Sequence, residues 1–297
     1  MARASIIHRE RINHLLCGEL HKDKAHPIFN FIHQYFHFSM KRLHIYSPGV
    51  GVNVLDELTY IRRHPELARC LNVNERQARL VPPPFSPGKL ASLRTTLALL
   101  KNTANKAPLL SCFGLHEWAM LYDNEVPSAH QALPLRVSRA VIREAAGGGR
   151  LRCTHFDAVR HFAPGARFLN NSPTTPTRAN QHLTDQPGCV HVSMDLYKWA
   201  SKLFPLIDSE IILEALAVAL QAREVDMRAS PYDLTAYRHG QLGGTFRCDP
   251  ICVETPEGRR QYAVEQGRLY AMAAPVRVRL IQGYEAVLDA TEAGADQ

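Results

Sequence analysis

The clearest pattern of hydrophobic and polar positions lies in residues 186–233, where two helical periods follow one another. In the second period, apolar residues recur at helical spacing from Ile212 to Leu220, and Asp208 stands at the N-cap position. The helix must end before Pro231, because a residue that precedes proline is biased towards extended backbone. We therefore predict a long helix at the centre of the fold.

The first helix of this pair is shorter and carries ionisable residues beside its apolar face. Ser193 is its predicted cap, Asp195 lies in its first turn, and Pro205 ends it. Its predicted buried stripe consists of Leu196, Trp199, Ala200 and Leu203. Buried charges must be paired or functional. The two helices therefore carry either an ion-pair network that joins them or part of a functional site.

The same two alternatives, a structural ion pair or a functional site, apply to Asp226, which lies near the C-terminus of the long helix. The helix macrodipole disfavours a carboxylate there by a few tenths of a kcal/mol up to about 1 kcal/mol. Either Arg223 or Arg228 offsets that cost, which would make Asp226 structural, or a bound metal or substrate does.

The rest of the pattern predicts a mainly α fold with a few short strands, arranged as a single compact α-rich domain. An N-terminal helical lobe covers residues 1–80, and the proline-rich stretch 81–88 separates it from a main domain at residues 89–290. Residues 291–297 are predicted to form a disordered tail. Short strands are predicted at Leu135–Ile142, Ile251–Thr255 and Val276–Ile281.

Composition narrows the class of protein. With 297 residues, 45% of them hydrophobic, the chain can bury a substantial core. Its formal net charge of +7 and pI of about 9.1 permit an anionic partner such as nucleic acid. The seven cysteines form no CxxC motif and indicate reduced thiols, and neither a signal peptide nor a membrane-spanning run is recognised. We expect a cytoplasmic protein that does not insert into a membrane.

Histidines and carboxylates gather in four short motifs, LHEW, THFDAVRH, CVHVSMD and EVDMRASPYD, each within apolar sequence. His191 and Asp195 are four residues apart, as are Asp157 and His161, so each pair shares a face if its segment is helical. We predict that seven side chains from these motifs converge on one site: His116, Glu117, His155, Asp157, His191, Asp195 and Asp226.

Two kinds of chemistry fit these residues. A mixed set of histidines and carboxylates suits non-haem iron, manganese or zinc, with the candidate ligands His116, His155, His161, His191, Asp157 and Asp195. Without a metal, the candidate catalytic carboxylates are Glu117, Asp157, Asp195 and Asp226. The candidate substrate-binding residues are Trp118, Arg160, Lys198, Arg228 and Tyr232. Core packing is the alternative role for each aromatic residue.

Several strings resemble a bacterial family commonly labelled 3-methyladenine DNA glycosylase. The resemblance is carried by Cys112–Met120, Leu151–Ala158, Gln186–Trp199 and Val225–Leu234, with HPIFNF near the N-terminus and the ETPEG string at 254–258. It implies a hydrolase that removes an alkylated base from DNA by cleaving the N-glycosidic bond, without a cofactor. Such chemistry needs a flipped base stacked on aromatic side chains and a carboxylate that activates water.

Two alternatives remain open beside that activity. The first is an enzyme that uses a divalent metal held by histidine and carboxylate ligands and acts on a small molecule. The second is a non-catalytic nucleic-acid-binding protein, which requires a continuous basic face and no convergent buried carboxylates. The candidate arginines for a face that contacts DNA are Arg259, Arg260, Arg268, Arg277 and Arg279.

Overall fold

A computed structural model of the chain describes residues 2–16, 26–29, 32, 35–74, 77–123, 133–237 and 247–295. These residues form thirteen α-helices and a single pair of short strands. The prediction of a mainly α fold with a few short strands is therefore confirmed. The helices, numbered in chain order, are α1 (Ala2–Leu15), α2 (Met40–Leu43), α3 (Leu58–Arg63), α4 (Pro65–Ala68), α5 (Pro87–Ala104), α6 (His116–Met120), α7 (Arg139–Gly147), α8 (Phe156–Val159), α9 (Pro164–Arg167), α10 (Gln181–Thr184), α11 (Val190–Leu203), α12 (Ser209–Ala229) and α13 (Pro256–Ala295).

The two strands form a small antiparallel hairpin in the N-terminal part of the chain. Strand β1 (Leu71–Val73) pairs with β2 (Ala78–Leu80), with Leu71 opposite Leu80. Two 3₁₀ turns, at Leu55–Glu57 and Thr235–Tyr237, complete the regular structure of the described residues. The hairpin lies far along the chain from the His and carboxylate motifs and supplies none of their residues.

Helices α11 and α12 form the predicted pair, with one change at the start of α11. The side chain of Asp208 accepts a hydrogen bond from the Glu210 amide, so the predicted cap of α12 is confirmed. Helix α11 begins at Val190, three residues before the predicted cap Ser193, and the Ser193 hydroxyl donates to the Cys189 carbonyl instead. The earlier start places His191 inside the helix, four residues before Asp195.

Two of the three predicted strands, Val276–Ile281 and Ile251–Thr255, are wrong, and helix α13 replaces the first of them. It begins at Pro256 and continues through Pro275 to Ala295, so Val276–Ile281 is helical. Its buried apolar residues keep a helical spacing throughout: Tyr262, Leu269, Ala273, Val276, Leu280, Tyr284 and Val287. Ile251–Thr255 is a turn-rich lead into this helix, and a Cβ atom at Gly258 would lie 1.9 Å from the Cys252 carbonyl oxygen. Residues 256–258 are thus the first turn of α13, and at position 258 the neighbouring backbone packs too closely for any residue but glycine.

The remaining strand prediction, Leu135–Ile142, is also wrong. Helix α7 begins at Arg139, and the Ser138 side chain caps it by accepting from the Val141 amide. Within this predicted strand, Leu135 alone has a strand-like backbone contact, an isolated bridge to Tyr232. A capping serine followed by helix-forming residues outweighs the short run of apolar residues before it.

The buried core is one continuous cluster, and α12 runs through it. Most of α12 is buried all round its circumference, as expected of a helix in the centre of a fold. Helix α11 packs along it, α13 packs against both, and α1 contacts α12 from the N-terminal part of the chain. Residues before 81 therefore share their core with the residues that follow.

Residues 291–295 of the predicted disordered tail belong to helix α13, and residues 296–297 lie outside the described residues. Arg94 of α5 pairs with Glu292 at 3.1 Å, which ties this last part of the helix to its neighbour. Among the described helices, none has the length and apolar character needed to cross a membrane.

Candidate functional site

The predicted convergence of the seven side chains occurs where the start of α11 meets the end of α12. Consecutive helices joined by a short connection run antiparallel, so His191 at the start of α11 lies beside Asp226 at the end of α12. Helix α6 contributes His116 and Glu117 from the LHEW motif. Two successive residues of positive φ, Phe113 and Gly114, turn the chain into this short helix.

One half of the cluster consists of His116, His191 and Asp226. One ligand atom from each lies within 4.8 Å of the other two. The Nε2 atom of His116 is 3.1 Å from Oδ1 of Asp226, and the ring centroids of His116 and His191 are 4.3 Å apart. Two imidazoles and one carboxylate make a ligand set that transition metals accept.

The other half consists of His155, Asp157 and Asp195, again with ligand atoms within 4.8 Å of one another. His155 precedes helix α8 and Asp157 lies in its first turn, while Asp195 projects from α11. The Nε2 atom of His155 is 3.2 Å from Oδ2 of Asp195. One imidazole and two carboxylates form a harder ligand set than the first group offers.

His191 joins the two groups into one site. Its ring stacks on that of His155, with centroids 5.2 Å apart and an interplanar angle of 13°. Its other contact is the edge-on approach to His116. Because the same imidazole touches both groups, the six side chains form a single continuous cluster.

Burial and charge set the protonation states in this cluster. Burial and the neighbouring His116 hold the pKa of His191 well below its usual value, so this imidazole is neutral at pH 7. For Asp195 and Asp226, burial opposes ionisation, but the cationic groups around them outweigh it and lower both pKa values. For His116, burial likewise disfavours the charged ring, and the Asp226 carboxylate overcomes it and raises the pKa.

Several polar atoms in the cluster are buried without a hydrogen-bonding partner. They are His116 Nε2, His155 Nδ1 and Asp226 Oδ1. The first and third of these atoms nevertheless lie 3.1 Å apart and form an ion pair with each other. Buried polar atoms in native proteins are almost always paired, and in this cluster His155 Nδ1 is the atom that has no such contact among the described residues.

A buried arginine supports the first group from behind. Arg223 donates to Asp226 Oδ2 at 2.8 Å and to the Pro27 carbonyl at 3.1 Å. Glu117 lies 3.8 Å from both Arg223 and His116. Arg223 therefore offsets the cost of placing Asp226 near the end of a helix, and it does so without occupying Oδ1.

His161 stays outside the cluster. Helix α8 ends at Val159, so the one-turn segment cannot carry Asp157 and His161 on a common helical face. The His161 side chain is exposed and belongs to neither group of potential ligands. The condition for Asp157 and His161 to share a face, a helix that covers both residues, is therefore not met.

The proposed substrate-binding residues lie in three different settings. Arg160 and Lys198 contact Asp157. Arg228 belongs to a separate ion-pair network with Glu224. Trp118 is fully buried and its indole N–H donates to the Ala229 carbonyl, so its ring is part of the core.

Tyr232 and Arg228 nevertheless line a common cavity of about 360 Å³, together with Arg136. The Tyr232 hydroxyl lies 3.4 Å from Glu117 at the edge of the cluster. This cavity therefore adjoins the site on the side of the LHEW motif.

Two charged residues at the site were not predicted. Arg178 donates to Asp157 at 2.7 Å from the long loop between α9 and α10. Asp185 is almost completely buried, and burial raises its pKa to about 6 despite the nearby His155. The unusual length of this loop was the only signal in the sequence, and length alone does not identify the residue that reaches the site.

The five arginines proposed for a DNA-contacting face do not act together. Arg277 is 1% exposed, and Arg259 donates to the carbonyls of Val253 and Glu254. Arg260, Arg268 and Arg279 each pair with a glutamate. Their positions give no continuous basic surface.

No protein-family model matches the sequence, and neither a curated protein nor a solved structure shows significant similarity to it.

Proposed function

We propose that this chain is a metal-dependent enzyme whose centre is formed by His116, His191 and Asp226 and by His155, Asp157 and Asp195. The observation that carries the proposal is the pair of adjoining groups of three potential ligands, each with its ligand atoms within 4.8 Å of one another, in a largely buried cluster.

The donor atoms suit a divalent ion. Histidine binds metals as the neutral imidazole, and the pKa of His191 is already low enough for that form. The carboxylates of Asp195 and Asp226 remain ionised, which supplies negative charge for the ion. His116 and His155 would give up protons on metal binding, so affinity should rise with pH.

A bound metal would supply Lewis-acid activation of water or of a substrate oxygen. The protein's own contribution is to hold the ligands and limit access by water. Arg223 fixes Asp226 through Oδ2 and leaves Oδ1 towards the imidazole of His116. Four of the six side chains are at most 3% exposed. Their burial keeps the local dielectric constant low, which strengthens each charge interaction.

The decisive experiment is elemental analysis of the purified protein, followed by calorimetric titration of the chelator-treated protein with Mn²⁺, Zn²⁺ and, without oxygen, Fe²⁺. His191→Gln is the test variant, because His191 contacts both groups. His161→Gln is the matched control, because that histidine is exposed and outside both groups.

We expect the wild-type protein and His161→Gln to bind metal alike. Loss of residues that only orient ligands costs about 10- to 100-fold in affinity, so His191→Gln should lose at least about 100-fold. Circular dichroism shows whether the variant is folded. Absence of metal from the purified protein, together with no binding of any of the three ions, would refute the proposed centre.

The second candidate is removal of an alkylated base from DNA, as the family resemblance implies. One observation favours it: Arg160, Arg178 and Lys198 gather around Asp157 and give this edge of the site a basic character. The test is release of 3-methyladenine from alkylated duplex DNA with and without chelator, at several salt concentrations. Base release that survives the chelator, with DNA affinity that falls steeply with salt, supports a glycosylase. If neither base release nor salt-dependent DNA binding is observed, the metal-dependent enzyme is the proposal that remains.

A further inference from the structure

Asp157 is contacted by more cations than its charge can neutralise. Arg178 Nη2 lies 2.7 Å and Arg160 Nε 3.4 Å from Oδ1, and Lys198 Nζ lies 3.3 Å from Oδ2. Lys198 is also 3.4 Å from Asp195. Two carboxylates thus face three cations at the edge of the second ligand group.

A fourth cation extends this basic edge. The ammonium groups of Lys198 and Lys202 lie 4.6 Å and 4.4 Å from the ring centroid of Trp199. The four cationic side chains exceed the carboxylates of Asp157 and Asp195 by two charges. Two like charges over one indole repel each other, and a shared anion would relieve that repulsion.

Arg178 is held in position although its side chain is 58% exposed. Its Nη1 atom donates to Gln181 Oε1 at 3.1 Å, and its guanidinium lies over the Phe156 ring at 4.8 Å from the centroid. An exposed arginine usually moves freely and contributes little through surface ion pairs. An arginine fixed on two sides is instead suited to recognise a planar or tetrahedral anion.

From this arrangement we propose that Arg178, Arg160 and Lys198 bind a phosphate-type dianion of the substrate beside the second ligand group. The inference rests on the proposed function in one respect, since it names the substrate class of that same site. When Asp157 serves as a metal ligand, its negative charge is shared with the metal, and these cations need another anion. The substrate phosphate supplies it.

The arrangement therefore couples the two ligands. A metal at His155, Asp157 and Asp195 adds positive charge to an edge that already has a surplus of it. A bound dianion removes that surplus and so raises the affinity for the metal. By thermodynamic linkage, a bound metal raises the affinity for the dianion by the same factor. We expect sulfate, a soluble mimic of phosphate, to raise the affinity for Mn²⁺ by about fivefold or more, which is the lower end of typical coupling between sites.

Sulfate binding to the chelator-treated protein tests the anion site without any metal. Isothermal titration is carried out at constant ionic strength, with wild type, Arg178→Gln and the control Arg260→Gln. Arg260 is also exposed and paired with one carboxylate, Glu257, but it lies on α13 outside the cluster. Loss of a hydrogen bond to a charged group should weaken sulfate binding by about tenfold or more in Arg178→Gln and leave Arg260→Gln unchanged.

The proposed dianion corresponds to a phosphomonoester, whereas a phosphodiester carries one negative charge per phosphate and would contradict that assignment, and two further titrations separate the two. Adenosine monophosphate competing with sulfate indicates a small phosphorylated substrate. A single-stranded oligonucleotide without a terminal phosphate, competing more strongly, indicates the DNA backbone.

Two results would overturn the inference: absence of saturable sulfate binding by folded wild-type protein, or equal binding by Arg178→Gln. Failure of the metal centre gives a different result. In that case sulfate still binds and depends on Arg178, while no metal titration shows an effect. A protein that binds Mn²⁺ through His191 but not sulfate retains its metal centre and lacks the anion site.

Discussion

Replacing Asp226 by asparagine is the sharpest single test of the cluster, because it removes one charge and preserves the shape. The Asp226 side chain is completely buried between Arg223 at 2.8 Å and His116 at 3.1 Å. Asparagine can still accept the Arg223 hydrogen bond through its amide oxygen. It cannot neutralise the guanidinium or supply a charged ligand atom to a metal.

The expected loss of stability follows from the charge that is left behind. Removing one partner of a buried ion pair costs about 3–5 kcal/mol. Glu117 remains 3.8 Å from Arg223 and compensates in part, so we expect the lower end, about 3 kcal/mol. A domain of this size loses about 2 °C in melting temperature per kcal/mol, which gives a decrease of about 6 °C.

The loss should depend on pH in a defined way. The pKa of Asp226 is lowered in the folded protein, so its contribution to stability is present above the unfolded value of about 3.9 and is lost as pH falls through the folded value. The pKa of His116 is raised, so its contribution is present below about 6.5 and is lost as pH rises through its folded value. The difference between wild type and variant should thus be largest between about pH 4 and 6.5.

Urea unfolding of the chelator-treated proteins at several pH values measures this difference, and the same experiment with Mn²⁺ measures the metal centre. At a metal concentration 100 times the Kd, wild type should gain about 2.7 kcal/mol and Asp226→Asn far less. Glu224→Gln is the matched control, since Glu224 is buried on the same helix and pairs with Arg228 and Arg247. It should lose stability yet keep the gain from metal. Equal metal-induced stabilisation of wild type and Asp226→Asn would refute the assignment of Asp226 as a ligand.

The remaining predictions concern protonation and packing. The pKa of His191 is held low by burial, so the unfolded chain takes up a proton on this residue below about pH 6.5 and the folded protein does not. Without metal, His191→Gln should therefore gain stability relative to wild type on acidification from pH 7 to 5, by up to about 1.4 kcal/mol per pH unit. If the urea midpoints of the two proteins shift equally between these pH values, this prediction is wrong. Gly258→Ala should lower stability by at least about 1–3 kcal/mol, because its Cβ would meet the Cys252 carbonyl at 1.9 Å. Gly88→Ala, in open space in helix α5, should gain about 0.4–1 kcal/mol, and an equal response of the two variants in thermal melts would show the packing argument to be wrong.

The sequence was most informative where local signals agreed with the overall pattern. Asp208 as a cap and Pro231 as a stop defined α12, and the condition for His191 and Asp195 to share a helical face is met because α11 begins at Val190. The convergence of the seven side chains could be anticipated because each motif lies within apolar sequence, and an ionisable group in such a setting needs a partner.

Other features could not be read from local sequence. Helix α13 crosses Pro275, and the helical period of its apolar face over about seven turns, from Tyr262 to Val287, outweighs the lost backbone hydrogen bond. Arg178 reaches Asp157 from a loop, a contact that depends on the path of the chain in space. For Trp118, substrate stacking and core packing were both open, and its position on a one-turn helix places it in the core.

A comparison within this molecule separates a structural ion-pair network from the proposed site. Glu224 and Arg228 are buried at the end of α12 and joined to Arg247, and neither has a buried side-chain atom without a hydrogen-bonding partner among the described residues. Asp226, which lies between Glu224 and Arg228 in the sequence, and His116 are equally buried, but His116 Nε2 and Asp226 Oδ1 have only an ion pair at 3.1 Å between them. Buried ion pairs can often be replaced by apolar residues without loss of stability, so joining helices does not require either arrangement. A satisfied network can be retained for structure alone, whereas unsatisfied ligand atoms at the meeting point of four motifs favour a bound ion as the partner that completes them.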